Sequence, residues 1–139
     1  MTDFETVSLP EAPDVVATDG SNVRILPSVG GGSMAHFTLA AGATSHAVTH
    51  RTIDEIWFVV TGHGEMWRAT DEREEVVALE PGVALTIPLG TRFQFRAATD
   101  TSLAIVGVAM PPWPGDGEAV VVDGPWEPTA FFTSRPCGS

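Results

Sequence analysis

Glycine and proline cut this chain into short pieces. Fourteen glycines and eleven prolines are spread over 139 residues, and no long stretch between them carries apolar residues at the spacing of a helix face. What recurs is the β type: SNVRILPS, SMAHFTLA, EIWFVVTG, GEMWRAT, EVVALE, VALTIPLG, RFQFRAA and SLAIVGVAM. Gly, Pro or Asp turns separate these runs, a pattern that predicts an all-β sandwich or barrel. Prolines 111, 112, 114, 125 and 128 forbid a continuous central strand or helix near the C-terminus. Residues 1–20 therefore read as an N-terminal arm with at most one strand, at Val15 and Val16. Residues 21–110 read as the barrel. Residues 111–139 read as a Pro/Trp-rich arm whose Trp113 and Trp126 dock onto the barrel or onto a partner subunit.

Two runs say which way their side chains point. Polar and aromatic residues alternate in Arg92-Phe93-Gln94-Phe95-Arg96, so Phe93 and Phe95 face inward. In Glu55-Ile56-Trp57-Phe58-Val59-Val60 both parities are apolar, which predicts a strand covered on both faces. Glu55 shares a face with Trp57 and Val59, and a carboxylate there needs a partner, because burying it alone costs several kcal/mol. Gly62-His63-Gly64 has the glycines a tight hairpin requires.

Charge narrows the partners. Lys plus Arg total 7 against 18 Asp plus Glu, a net charge of −11. That balance repels phosphate backbones and anionic lipid heads, so neither nucleic acid nor a membrane surface is expected. The single cysteine, Cys137, cannot form an internal disulfide, so the fold does not rely on an oxidising compartment. No apolar run approaches a membrane span of about 20 residues. The acidic start, MTDFETVSLPEAPD, lacks the features of a signal peptide. A cytoplasmic location is the expectation.

The stretch GATSHAVTHRTIDEIWFVVTG, residues 42–62, holds the residues most suited to chemistry. Alternate strand residues lie on one face about 6.6 Å apart, so His-x-His aims two imidazoles at one point. A Glu on the next antiparallel strand, across a short turn, reaches the same point. Gly42, His50, Glu55 and Gly62 have the spacing of the first cupin motif, G-x5-H-x-H-x3–4-E-x6-G, but Val48 occupies the first histidine position. Gly82, Pro88 and Gly90 match the second motif, G-x5-P-x-G-x2-H-x3-N, with Phe93 and Ala97 in place of histidine and asparagine. On these residues the chain resembles the cupin superfamily, and in particular the small single-domain bacterial cupins. Some of those, from natural-product (secondary-metabolite) pathways, are polyketide cyclases. The resemblance implies a double-stranded β-helix, or jelly-roll, barrel. It also implies a metal centre with four ligands, of which only His50 and Glu55 remain here.

His46 shares the parity of His50 and is a candidate third ligand for one divalent metal with His50 and Glu55. Along a strand, however, i to i+4 spans about 13 Å, and ligand atoms must lie at ~2.1 Å from an ion. Only a loop over residues 43–45 would relax that limit. Without metal, His50 and Glu55 can hydrogen-bond to each other, which would satisfy the carboxylate and raise the basicity of the imidazole. The leading expectation is a small-molecule enzyme, with His50 and Glu55 as catalytic acid/base groups. The reaction would be an isomerisation, a cyclisation or a lyase-type loss of a small group, in preference to dioxygenase chemistry, which needs three firm ligands. Trp57, Phe93 and Phe95 would wall the pocket, His36 could line it, and Arg92 could hold a substrate carboxylate at its mouth. The alternative is a non-catalytic small-ligand or sensor cupin. Sheet edges and apolar outer faces left to cover predict a homodimer.

Overall fold

The computed structural model describes residues 3–129; Cys137 and the end of the C-terminal arm lie outside them. Every regular element among the described residues is a strand, and no helix is long and apolar enough to cross a membrane. In chain order these are β1 (Val15–Val16), β2 (Asn22–Val29), β3 (Gly32–Leu39), β4 (Val48–His50), β5 (Asp54–Thr61), β6 (Gly64–Ala69), β7 (Glu74–Leu79), β8 (Ala84–Ile87), β9 (Arg92–Ala97), β10 (Leu103–Met110) and β11 (Ala119–Val121). The eight runs read from the sequence are β2, β3 and β5–β10. β4 and β11, three residues each, are too short to leave a periodic signal.

Two antiparallel sheets face each other. One has the order β1-β2-β3-β10-β5-β8 and the other β11-β4-β9-β6-β7. This arrangement corrects two expectations. Gly62-His63-Gly64 does not close a hairpin, because β5 pairs with β10 and β8 while β6 pairs with β7 and β9. The turn instead carries the chain from one sheet to the other. Gly62 takes a positive φ of 90° there, and a Cβ on it would run into the Ser102 carbonyl. Likewise β4 and β5 are not neighbouring strands of one sheet, so His50 and Glu55 meet across the interior.

The core fills the space between the sheets with Trp57, Val59, Met66, Leu79, Ile87, Phe93, Phe95, Leu103 and Ile105, all buried. Phe93 and Phe95 point inward as their alternation requires. On β5 the outcome differs from the expectation of cover on both faces. Ile56, Phe58 and Val60 remain 47%, 49% and 40% exposed on the outer face of the six-stranded sheet, so the described residues cover one face alone.

The C-terminal arm docks on the outside of the five-stranded sheet. Trp126 packs with Ala47, Trp67, Ala69 and Val122, and the Arg96 guanidinium lies 3.9 Å over its ring. Gln94, which alternates outward between the two inward phenylalanines, holds the arm. Its side-chain amide donates to the carbonyls of Ser45 and Trp126 at 2.7 and 2.8 Å, and accepts the Trp126 N–H at 3.1 Å. A buried amide contact made and then lost leaves its partners unsatisfied, at about 1–3 kcal/mol each. Replacing Gln94 with Ala should therefore lower stability by roughly 2 kcal/mol in urea denaturation and open the segment after Val122 to limited proteolysis. Wild-type stability with an undisturbed arm would refute this role.

Candidate functional site

The crossing from β4 to β5 places His50 and Glu55. The Glu118 carboxylate, buried beside it, accepts hydrogen bonds from the Thr52 N–H and hydroxyl, both at 2.7 Å, and from the Ile53 N–H at 3.1 Å. The Glu118 carbonyl accepts the Arg51 N–H. These bonds fix the turn, so His50 at the end of β4 and Glu55 at the start of β5 are both buried and aimed at one space. Burial raises the Glu118 carboxyl, but the bonds from Thr52 and the neighbouring amides outweigh it, and the net shift is downward. Glu118 stays an anion.

That space is a cavity of about 470 Å³. Val48, His50, Glu55, Trp57, Phe93, Phe37 and Gly107 form its barrel wall. Further residues of β2, β3, β10 and β11 line it too, together with residues 15–19 of the N-terminal arm and residues 112, 113 and 115–117. Aromatic rings surround the two ionisable groups. His50 meets Phe93 and Trp113 edge-on, at centroid distances of 5.2 and 5.3 Å. Trp57 meets Phe93 in the same way at 5.7 Å. Gly107 makes room for this stack, because a Cβ there would lie 2.6 Å from the Phe37 ring and 2.9 Å from the Trp57 ring.

Glu55 Oε1 accepts the Trp57 indole N–H at 2.9 Å. His50 Nδ1 stands 4.0 Å from the same oxygen and has no hydrogen-bond partner, a distance too long for a hydrogen bond. The expected His50–Glu55 hydrogen bond is therefore absent, and so is the expected rise in imidazole basicity. Burial instead lowers His50 to about 4, against the opposing pull of Glu118. Burial pushes the Glu55 carboxyl up to about 8, over the opposing Trp57 bond and with added repulsion from Asp19 and Glu118. At neutral pH the imidazole is neutral and the carboxyl largely protonated.

The other expected site residues are not all brought here. Trp57 and Phe93 line the cavity. Phe95 lies behind them, edge-on to Trp57 at 5.1 Å, and is core. Arg92 lies outside the cavity lining, facing Asp71 at 3.4 Å. His36 also lies outside, because Ala35 and Phe37 take the inward positions of β3; it sits beside Arg24 in the sheet register. Burial and then Arg24 lower its pKa. Residues 43–47 do leave the strand, but the loop does not bring His46 to the ions' place. The His46 N–H donates to the Asp19 carbonyl at 2.8 Å, and its imidazole feels the Asp19 carboxylate.

Asp19, which sequence reasoning missed, lies in the wall fully buried. Its Oδ1 accepts the Ser21 N–H and hydroxyl at 2.9 and 2.7 Å, and burial raises its pKa despite those bonds. Asp19-Gly20-Ser21 reads only as a turn in sequence. Trp113 was expected to dock on the barrel or a partner subunit but not to meet His50, and Glu118 was missed, since a Pro-rich segment gives no sign of what it folds against.

With this geometry in hand, comparison with known families finds the cupin domain over residues 35–109. The chain belongs to the cupin family. Among solved structures, KdgF from Halomonas sp. is 21% identical with a TM-score of 0.60, over 68% of this chain and 82% of that one. A Klebsiella pneumoniae protein with a double-stranded β-helix domain is 13% identical with a TM-score of 0.67, over 88% of this cupin and 100% of its own chain. Oxalate decarboxylase from Bacillus subtilis is 17% identical with a TM-score of 0.65, over 77% of this cupin and 29% of the enzyme. Comparison with curated proteins gives no match.

The metal that the cupin motifs imply does not fit the donors present. Val48 and Phe93 offer carbon at two of the four positions, and one of the two Glu55 oxygens is engaged by Trp57. Among the described residues no three His, Cys, Asp or Glu side chains group to hold an ion, which includes the expected set of His46, His50 and Glu55.

The two buried groups predict a pH signature. Glu55 ionises near its ordinary 4.5 when unfolded and at about 8 when folded, so the folded state holds more protons between these values and stability falls as pH rises. His50, ordinarily 6.5 and about 4 when folded, has the opposite slope between 4 and 6.5. The two offset each other there, so the net loss lies between pH 6.5 and 8, at roughly 1–2 kcal/mol. Urea denaturation across that range should show the fall in wild type and a flatter profile in Glu55→Gln. Equal slopes in both would rule out Glu55 as its source. Gly107→Ala should cost roughly 1–3 kcal/mol and shift the tryptophan emission as Trp57 is displaced; an unchanged spectrum and stability would show that the stack tolerates a methyl group.

Proposed function

We propose that this cupin binds a small molecule in the cavity and moves a proton on it, with Glu55 as the acid and His50 as the base. One observation carries the reading: two buried ionisable groups in one aromatic cavity have been driven to their neutral forms, which reverses their usual roles. The protonated Glu55 is a hydrogen-bond donor, and the unpartnered His50 Nδ1 is suited to accept a proton once the imidazole adopts the tautomer with its hydrogen on Nε2.

A proton transfer follows directly. Glu55 donates from Oε2 to a carbonyl oxygen of the substrate, while His50 Nδ1 takes a proton from the adjacent carbon. The C–H electron pair becomes the carbon–carbon double bond of an enol, and the carbonyl electrons take the Glu55 proton. Glu55 is left as a carboxylate, with the Trp57 N–H still on Oε1, and His50 as an imidazolium. Both charged forms are disfavoured by burial, which drives the protons back onto the substrate at new positions. Isomerisation, cyclisation through the enol and loss of a small group all start from this step. Trp57, Phe93 and Trp113 line the space beside the reacting atoms.

Deuterium wash-in tests this without knowledge of the natural substrate. In D2O the protein should accelerate exchange at the α-carbon of 2-tetralone above the buffer rate, followed by NMR. Glu55→Gln and His50→Ala should each slow it by roughly 10²–10⁴-fold, the range of general acid–base catalysis. No acceleration by wild type, or equal rates in the variants, would sink the catalytic reading. Retained ligand binding in that case would favour a binding or sensor cupin.

A further inference from the structure

We infer that the cavity is built for an uncharged, largely apolar molecule carrying one carbonyl or hydroxyl oxygen, and that it turns anions away. This deepens the reading above, since it takes the same cavity as the ligand site. Among the described residues no cation lines it. The chain has no lysine, and five of its seven arginines are committed elsewhere. Arg24 donates to the Pro10 and Glu11 carbonyls. Arg68 and Arg73 pair with Glu75, Arg92 with Asp71 and Arg96 with Glu65. Arg51 is exposed in the turn after His50, and Arg135 lies outside the described residues.

Acids take the places a cation would need. Asp19 and Glu55 lie in the cavity wall and Asp116 is exposed at its edge, with the Glu118 anion behind His50. A carboxylate or phosphate brought here would lose its hydration, find no cation in the wall, and face the Glu118 anion behind His50. An uncharged ring system would meet Trp57, Phe93, Phe37 and Trp113, the usual lining for flat apolar ligands. One oxygen at its end would answer the polar atoms that the fold leaves open. A hydroxyl can donate to the unpartnered His50 Nδ1, and either oxygen can accept from the second oxygen of Glu55. A ligand cation is the competing idea. It is less favoured because both wall carboxyls, Glu55 and Asp19, are held toward their neutral forms by burial.

Three probes on one ring separate these cases: 2-acetylnaphthalene, 2-naphthoate and 2-naphthylmethylammonium, titrated by calorimetry into the full chain at pH 6.5. The ketone is expected to bind, and the carboxylate at least tenfold more weakly. Asp116→Lys, a surface change, should narrow that gap several-fold. Equal or tighter binding of the carboxylate overturns the inference, as does an unchanged gap in Asp116→Lys or tightest binding of the ammonium. Absence of ketone binding overturns it too, and removes the cavity as the ligand site. Ketone binding without deuterium wash-in leaves the ligand class standing while the proton-transfer reading fails.

Discussion

The chain passes from one sheet to the other between His50 and Asp54, and the buried Glu118 carboxylate holds that passage. Three donors from Thr52 and Ile53 converge on it, so a residue more than sixty positions away fixes the turn. Because of this clamp, the last residue of β4 and the second of β5 face one another instead of diverging with their sheets. The remaining geometry is inherited from that contact: His50 edge-on to Phe93 and Trp113, Glu55 beneath the Trp57 indole, and a cavity left between them. Glu118 is also the anion that resists the lowering of His50, so it serves position and charge together.

Burial, more than any pairing, sets the character of the two groups in the cavity. Had His50 and Glu55 been in hydrogen-bond contact, each would have favoured the charge of the other. At 4.0 Å, with no hydrogen bond, each is governed by the low-dielectric wall around it. Val48 and Phe93 contribute to the same end, because they place carbon at the positions where the cupin motifs carry histidine. The two groups are left with opposite proton preferences.

Much of this was legible in the sequence, and the limits have physical causes. The Gly- and Pro-bounded runs predict the strands, alternation predicts the inward Phe93 and Phe95, and the motif glycines survive because Gly42, Gly62, Gly82 and Gly90 all take positive φ. The family and fold follow. Strand parity cannot say which sheet a strand joins, so the 62–64 turn read as a hairpin and His50 and Glu55 as strand neighbours. Nor does parity distinguish a cavity face from an outer face, which misplaced His36 toward the pocket. Arg92 was drawn to the mouth by its position at a strand start, and Asp71 on a distant turn took it. Asp19 was invisible because a buried carboxyl satisfied by its own turn has the sequence of an ordinary loop.

The cavity wall is shared between the barrel and chain that flanks it. The family match ends at residues 35 and 109, yet residues 15–19 and 112–117 close a large share of the space in front of His50 and Glu55. One short stretch beyond the barrel thus walls the space at Trp113 and, through the Glu118 clamp, also fixes the turn that carries His50 and Glu55, so the wall cannot be refitted without resetting the pair it encloses.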